Sequence, residues 1–274
     1  MIQADVITTL TDLRHLSWTK TRESSGTAGS YLKSYEDIDG EKTYYKLSCY
    51  DPVNGITGHE SINELIVSRI LEILNIPHLS YRLIHAKIRI DKTEMETWLC
   101  ASSNFKGPGD SKITLEDYYE MEKQDGEDPL SFCKRMGWEK YIYQMILIDY
   151  LVLNRDRHGA NIEVLKNKRT NTIHPAPLFD QGISLVYSCH SDKSLQEFDV
   201  LCDLPVQSFV GGRSAYDNLK LIPKEYPLAI RPLEERDRAV IFQELEEALP
   251  MNYRNKIWEM IWERWQSYED FFHK

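Results

Sequence analysis

Apolar and polar residues follow two different rhythms along the chain, and the change falls near residue 103. Between Trp18 and Tyr50 two β-like runs, SSGTAGSYLKSY and KTYYKLSCY, flank the turn Asp37-Ile38-Asp39-Gly40. An Asp-Gly pair between Tyr-rich runs predicts a hairpin, because such turns need residues that accept positive φ. The stretch HESINELIVSRILEILNI then spaces Ile62, Leu65, Ile66, Ile70, Leu71 and Leu74 at helical intervals, predicting an amphipathic helix stopped near Pro77. Residues 81–90 and 95–101 read as strands, so residues 1–103 are expected to form a β-rich unit with one helix.

The segment SSNFKGPGDS (102–111) predicts a linker, since Gly107, Pro108 and Gly109 interrupt any regular structure. Residues 104–274 are expected to be mostly helical. An acidic helix is predicted near 114–124 and a long helical run over 129–154, whose later part, WEKYIYQMILIDYLVL, is apolar on nearly every side and belongs inside a core. After the loop NRDRHGAN come short β-like runs at 162–165 and 172–174, then APLFDQG. Helices are predicted over 234–248 and 252–272. In the latter Ile257, Trp258, Ile261, Trp262, Trp265 and Phe272 share a stripe that reads as packing rather than as a ligand cage. The fold class expected is α+β, with no internal repeat.

Composition narrows the partners. A formal net charge of -10 supplies no whole-protein attraction for nucleic acid or an acidic membrane, so neither is expected as a direct partner. The five cysteines contain no C-x-x-C pair, which argues against a disulfide framework and a structural zinc, and points to a reducing, cytoplasmic setting. No signal peptide is legible, and no stretch approaches the roughly 18 apolar residues of a membrane span.

The chemistry is concentrated in Asn154-Arg155-Asp156-Arg157-His158-Gly159-Ala160-Asn161 and Leu178-Phe179-Asp180-Gln181-Gly182. Phosphoryl transfer from ATP needs a carboxylate to orient and deprotonate a hydroxyl, and hard divalent cations that take oxygen ligands. Asp156, Asn161 five positions later and Asp180 after a hairpin-sized gap supply those groups in the order of a kinase catalytic loop. A metallohydrolase built on Asp156, His158, His174 and His190 fits less well, because the histidine spacing is irregular and His59-Glu60 lacks a second histidine four residues on. No G-x-S-x-G elbow supports an α/β-hydrolase.

The wording Asp-Arg-His-x-x-Asn resembles the catalytic loop of HipA-like serine/threonine kinases, including the CtkA-type branch, and is similar to that of phosphoinositide kinases. The resemblance implies a two-lobed, protein-kinase-like fold with a β-rich N-lobe and a mostly helical C-lobe. It implies ATP and magnesium as cofactors, Asp156 as catalytic base, Asn161 and Asp180 as metal ligands, and Arg157 and His158 as braces of the loop. The upstream half offers the remaining parts in order. Gly26, Thr27, Ala28, Gly29 and Ser30 form a small-residue turn for phosphates. Lys46 is the strand lysine, with Glu64 preferred over Glu60 as its helix partner, and Leu99, Cys100 and Ala101 lie in the strand expected beside adenine. Ser24 or Ser25 is implied as a self-phosphorylation site, with a protein substrate or the chain itself as acceptor. The chain is shorter than HipA toxins, so their antitoxin complex is not carried over. Two rival readings are a non-catalytic nucleotide- or partner-binding module, and a lipid or small-molecule kinase using a basic patch near Arg213, Lys220 and Lys224.

Overall fold

The computed structural model describes residues 5–19 and 31–273. The small-residue turn Gly26–Ser30 and the serines Ser24 and Ser25 lie outside the described residues. The chain is mixed α+β, rich in sheet toward its N-terminal end and in helix beyond it.

Strands β1 (Val6–Asp12), β2 (Lys33–Ile38) and β3 (Glu41–Lys46) precede two-residue strands β4 (Tyr50–Asp51) and β5 (Gly55–Ile56), then helix α1 (Glu60–Ile73) and the long hairpin β6 (Arg82–Ile90) and β7 (Thr93–Ser103). Five of these strands form one sheet in the order β1-β6-β7-β3-β2, with β1 parallel to β6 and the other pairings antiparallel. The β2–β3 hairpin closes on Asp39 (φ 55°) and Gly40 (φ 86°), the two positive-φ residues of a type I′ turn. Strand β1 was not legible in the sequence, because its run VITTLTD buries only Val6 and Thr-rich polar stretches give little periodicity.

Alternation in β6 sends Ile84, Ala86 and Ile88 to one face of the sheet, where they pack with Leu13, Leu16, Leu47, Leu99 and Ala101. Leu83 joins a second and larger core with α1 and the helices that follow. Helix α1 departs from the amphipathic expectation, since every residue from Glu60 to Leu71 is buried. Its polar donors are bonded: Arg69 donates to Asp5 and to the carbonyls of Ile241 and Gln243, and Asn63 donates to the carbonyls of Gly182 and Ser184.

The expected linker is shorter than 102–111. Strand β7 runs through Ser103, and β8 (Asp110–Thr114) starts a second, three-stranded sheet with β10 (Glu163–Asn167) and β11 (Thr172–Pro175), in the order β11-β10-β8. Between them lie α2 (Leu115–Glu122), α3 (Pro129–Arg135), α4 (Glu139–Leu151) and the two-residue strand β9 (Asp156–Arg157). The long run expected over 129–154 is broken at Gly137, whose φ of 74° ends α3 before the buried helix α4 begins.

Helix α5 (Asp192–Glu197), β12 (Gln207–Ser208), α6 (Ala215–Leu219), α7 (Asp237–Ile241) and α8 (Met251–His273) complete the chain. The helix expected over 234–248 shrinks to α7. The Arg69 guanidinium takes the Ile241 and Gln243 carbonyls that a continuing helix would use, and Glu244 turns to φ 59°. In α8, Ile257, Trp258, Ile261 and Trp265 are buried and Trp258 stacks on Trp262, so the tryptophan stripe is packing. No helix among the described residues is long and apolar enough to cross a membrane.

Candidate active site

Helix α4 delivers the chain into the loop that carries Asp156. It ends at Leu151, and Leu153 (φ 48°) reverses the backbone so that Asn154 N–H returns to the Asp149 carbonyl. The Asn154 amide nitrogen donates to Asp149 Oδ1 and to Gln181 Oε1, both at 3.0 Å, while its Oδ1 accepts the Asp156 N–H at 3.1 Å. Strand β9 then pairs in parallel with β12, matching Asp156 to Gln207.

Arg157 points into the protein and is only 1% exposed, so its charge needs partners. Nε reaches the Asp149 oxygens at 3.0 and 3.2 Å, and Nη1 donates to the carbonyls of Phe179 (3.0 Å) and Asn161 (3.1 Å). One guanidinium therefore clamps the residue before Asp180 and the residue expected to share its cation. Burial opposes the Arg157 charge, but the Asp149 carboxylate outweighs it and raises the pKa. Asp149 is pushed up by burial, with Arg157 pulling the other way.

His158 caps the 3₁₀ turn Gly159–Asn161 by accepting the Ala160 N–H on Nδ1 at 3.2 Å, and its Nε2 faces Asp156 Oδ1 at 3.6 Å. The Asn161 amide nitrogen donates to the Asp156 carbonyl at 2.9 Å and lies 3.4 Å from Asp156 Oδ2. Burial raises the Asp156 pKa; His158 opposes and Asp180 adds to the rise, so the two aspartates sit within electrostatic reach of each other.

The second half of the site is an ion junction. Lys46 Nζ lies 2.7 Å from Glu64 Oε1 and 2.5 Å from Asp180 Oδ1, joining strand β3, helix α1 and the segment after β11. Burial disfavours the Lys46 charge, yet Asp180 and Glu64 hold its pKa well above the ordinary lysine value. Glu60, the other helix glutamate, is engaged elsewhere, accepting the Cys49 N–H at 3.0 Å and the Tyr31 hydroxyl at 3.4 Å. Lys42, the neighbouring strand lysine, lies over the Tyr35 ring. Asp180 adopts φ 58°, a left-handed conformation that costs free energy in a non-glycine residue and is held only where surroundings impose it.

The three strand residues expected near a base divide by face. Cys100 pairs in register with Lys46, and burial followed by the Glu64 charge pushes its thiol up to about 12. Leu99 and Ala101 point into the core on the other face of the sheet, and Ala101 is paired with Tyr45 of β3 and Arg82 of β6. The structure thus brings together Lys46, Glu64, Cys100, Asp156, Arg157, His158, Asn161 and Asp180. Sequence reasoning missed Asp149, Asn154 and the buried role of Asn63. Asp149 had a signal, an acid inside the apolar run MILIDYLVL, which can be buried only with a partner.

No family model and no curated protein sequence matches the chain. Among solved structures, the proinflammatory kinase CtkA of Helicobacter pylori superposes with a TM-score of 0.68 over 96% of both chains at 16% identity. At that identity the likeness is one of fold, and this chain has the fold of the CtkA kinase. The HipA toxin of Shewanella oneidensis MR-1, solved with HipB and operator DNA, gives a TM-score of 0.44 at 15% identity, covering 92% of this chain and 59% of that one. WaaP, solved in complex with acyl carrier protein, gives 0.39 at 11% identity, covering 93% of this chain and 90% of that one.

Proposed function

We propose that this chain is a cytoplasmic ATP-dependent phosphotransferase of the HipA-like kind, with residues 1–103 and 104–274 as its two lobes and a protein serine or threonine, its own included, as acceptor. The observation that carries this reading is the Lys46–Glu64–Asp180 junction set beside Asp156 and Asn161. A buried lysine fixed by a helix glutamate is suited to hold phosphate oxygens, and Asp156 to hold the acceptor hydroxyl.

The donor set also fits magnesium. The Asp180 carboxylate and the Asn161 amide oxygen are hard ligands. Magnesium usually takes one or two protein oxygens and completes its shell from phosphates and water. Asn161 and Asp180 would hold the ion, which when bound neutralises charge on the β- and γ-phosphate oxygens. Asp156 accepts the acceptor hydroxyl proton as the new O–P bond forms and the γ-phosphorus parts from its bridging oxygen, leaving ADP. Asn161 holds the Asp156 main-chain carbonyl and stands 3.4 Å from its carboxylate, His158 faces that carboxylate, and Arg157 fixes the loop on Asp149.

The test is transfer of radiolabelled γ-phosphate to the chain itself and to a generic protein substrate. Wild type is expected to transfer, and Asp156→Asn to be slower by roughly 10²–10⁴-fold, the range for loss of a general base. Stabilisation by ATP and magnesium without any transfer would instead identify a nucleotide-binding module.

A further inference from the structure

Gln181 is a buried residue whose bonds reach Glu64 in one half of the site and Asn154 in the other. Its backbone N–H donates to Glu64 Oε2 at 2.8 Å, its side-chain Oε1 accepts from Asn154 Nδ2 at 3.0 Å, and its carbonyl accepts from Ser184 Oγ at 2.5 Å. Glu64 is the partner of Lys46, and Asn154 holds the Asp156 N–H. Gln181 itself follows Asp180 directly. Asn63 fastens the next stretch by donating to the carbonyls of Gly182 and Ser184, each at 3.0 Å.

This arrangement carries a cost. Gln181 is 1% exposed, and its Nε2 has no hydrogen-bond partner among the described residues; Asn63 Oδ1 is likewise buried and unpartnered. A methionine or leucine of similar shape would bury no unmet donor, so packing alone does not explain a glutamine here. Unmet buried polar groups gather where function, rather than stability, sets the side chain. A glutamate would not serve either, because Glu64, Asp149 and Asp180 already supply three carboxylates to the same network.

We propose that the Gln181 side chain is a positioning group that keeps the left-handed Asp180 in register with Asp156 through Asn154, while the Gln181 main-chain N–H, which any residue would supply, holds Glu64. Arg157 holds the Phe179 carbonyl before Asp180, and Gln181 holds the chain after it, so the carboxylate is fixed from both directions. The assignment rests on the phosphotransfer reading and deepens it by naming the side chain that sets the metal-facing geometry.

The test uses the full chain carrying Gln181→Met. Mn²⁺ binding in the presence of a non-hydrolysable ATP analogue is followed by electron paramagnetic resonance, beside melting temperature and analogue affinity without metal. The expected result is an unchanged or higher melting temperature, unchanged metal-free analogue affinity, and Mn²⁺ affinity weaker by about 10–100-fold, the usual effect of losing an outer-shell partner. Asn154→Ser cuts the same bond from the other end together with the bonds to Asp149 and the Asp156 N–H, so it should lose at least as much metal affinity, and the double variant should lose little more than Asn154→Ser alone. Mn²⁺ affinity within about twofold of wild type in a folded Gln181→Met chain, or in Asn154→Ser if Gln181→Met does not fold, overturns the assignment. A wild-type chain that binds no Mn²⁺ with the analogue overturns the phosphotransfer reading itself, a separate result because it is read on the unaltered protein.

Discussion

Arg157 and Asp149 form a buried ion pair beneath the loop that carries Asp156, with Nε 3.0 and 3.2 Å from the two carboxylate oxygens and Nη2 3.1 Å from Oδ1. Neither group can leave without stranding the other. Asp149→Ala is expected to destabilise the chain by about 3–5 kcal/mol, the range for breaking a buried pair from one side. Urea denaturation of the variant beside wild type measures it.

Glu60 and Glu64 separate by the same reasoning. Glu64→Gln removes a charge from Lys46 and should reduce phosphoryl transfer by roughly 10²–10³-fold, the scale for weakening one fixed electrostatic group. Glu60→Gln leaves the Lys46 junction intact, since Glu60 serves Cys49 and Tyr31. Its transfer rate is expected to stay close to wild type in the same assay.

The raised Asp156 pKa gives two pH effects of opposite sign. As a base Asp156 works ionised, so turnover should climb with pH through a value above the ordinary 3.8 of an aspartate. For stability, the folded chain holds this proton more tightly than the unfolded one. That contribution is complete below the ordinary value and disappears as pH rises through the folded value. Asp156→Asn should therefore melt higher than wild type at neutral pH and lose that advantage in acid. A pH–rate profile and paired melting curves test the two effects separately.

Gly159 leaves no space for a side chain. A Cβ there would stand 2.6 Å from the Glu116 Cβ and 2.7 Å from the Phe209 ring. Gly159→Ala must push the loop or those neighbours aside, so it is expected to cost about 1–3 kcal/mol, as overpacking usually does. Since His158 and Asn161 flank it, transfer should slow as well. Thermal denaturation and the phosphate-transfer assay together show both effects.

Local chemistry made much of the site legible in advance. The hairpin at Asp39-Gly40, the interior helix before Asn154, and the Asp156, Asn161 and Asp180 series all announce themselves through turn preference, burial or spacing. Non-local partners do not. That Arg69 would take the Ile241 and Gln243 carbonyls, and so stop a helix near residue 241, depends on an approach between segments about 170 positions apart. Strand β1 is similar: it pairs in parallel with β6, matching Val6 to Leu83 far along the chain, and seven Thr-rich residues carry no trace of it. Asn154 and Gln181 stood inside the quoted motifs, but their mutual hydrogen bond appears only in three dimensions.

Helix α1 is tied down at both ends of its length: Arg69 grips Asp5 and the chain at 241–243, and Asn63 grips the chain at 182–184. Swinging it outward as a lever would tear the buried Arg69 guanidinium from two carboxylate oxygens and two carbonyls at once. Glu64 and the distant 241–243 stretch therefore belong to one hydrogen-bonded frame built on this helix.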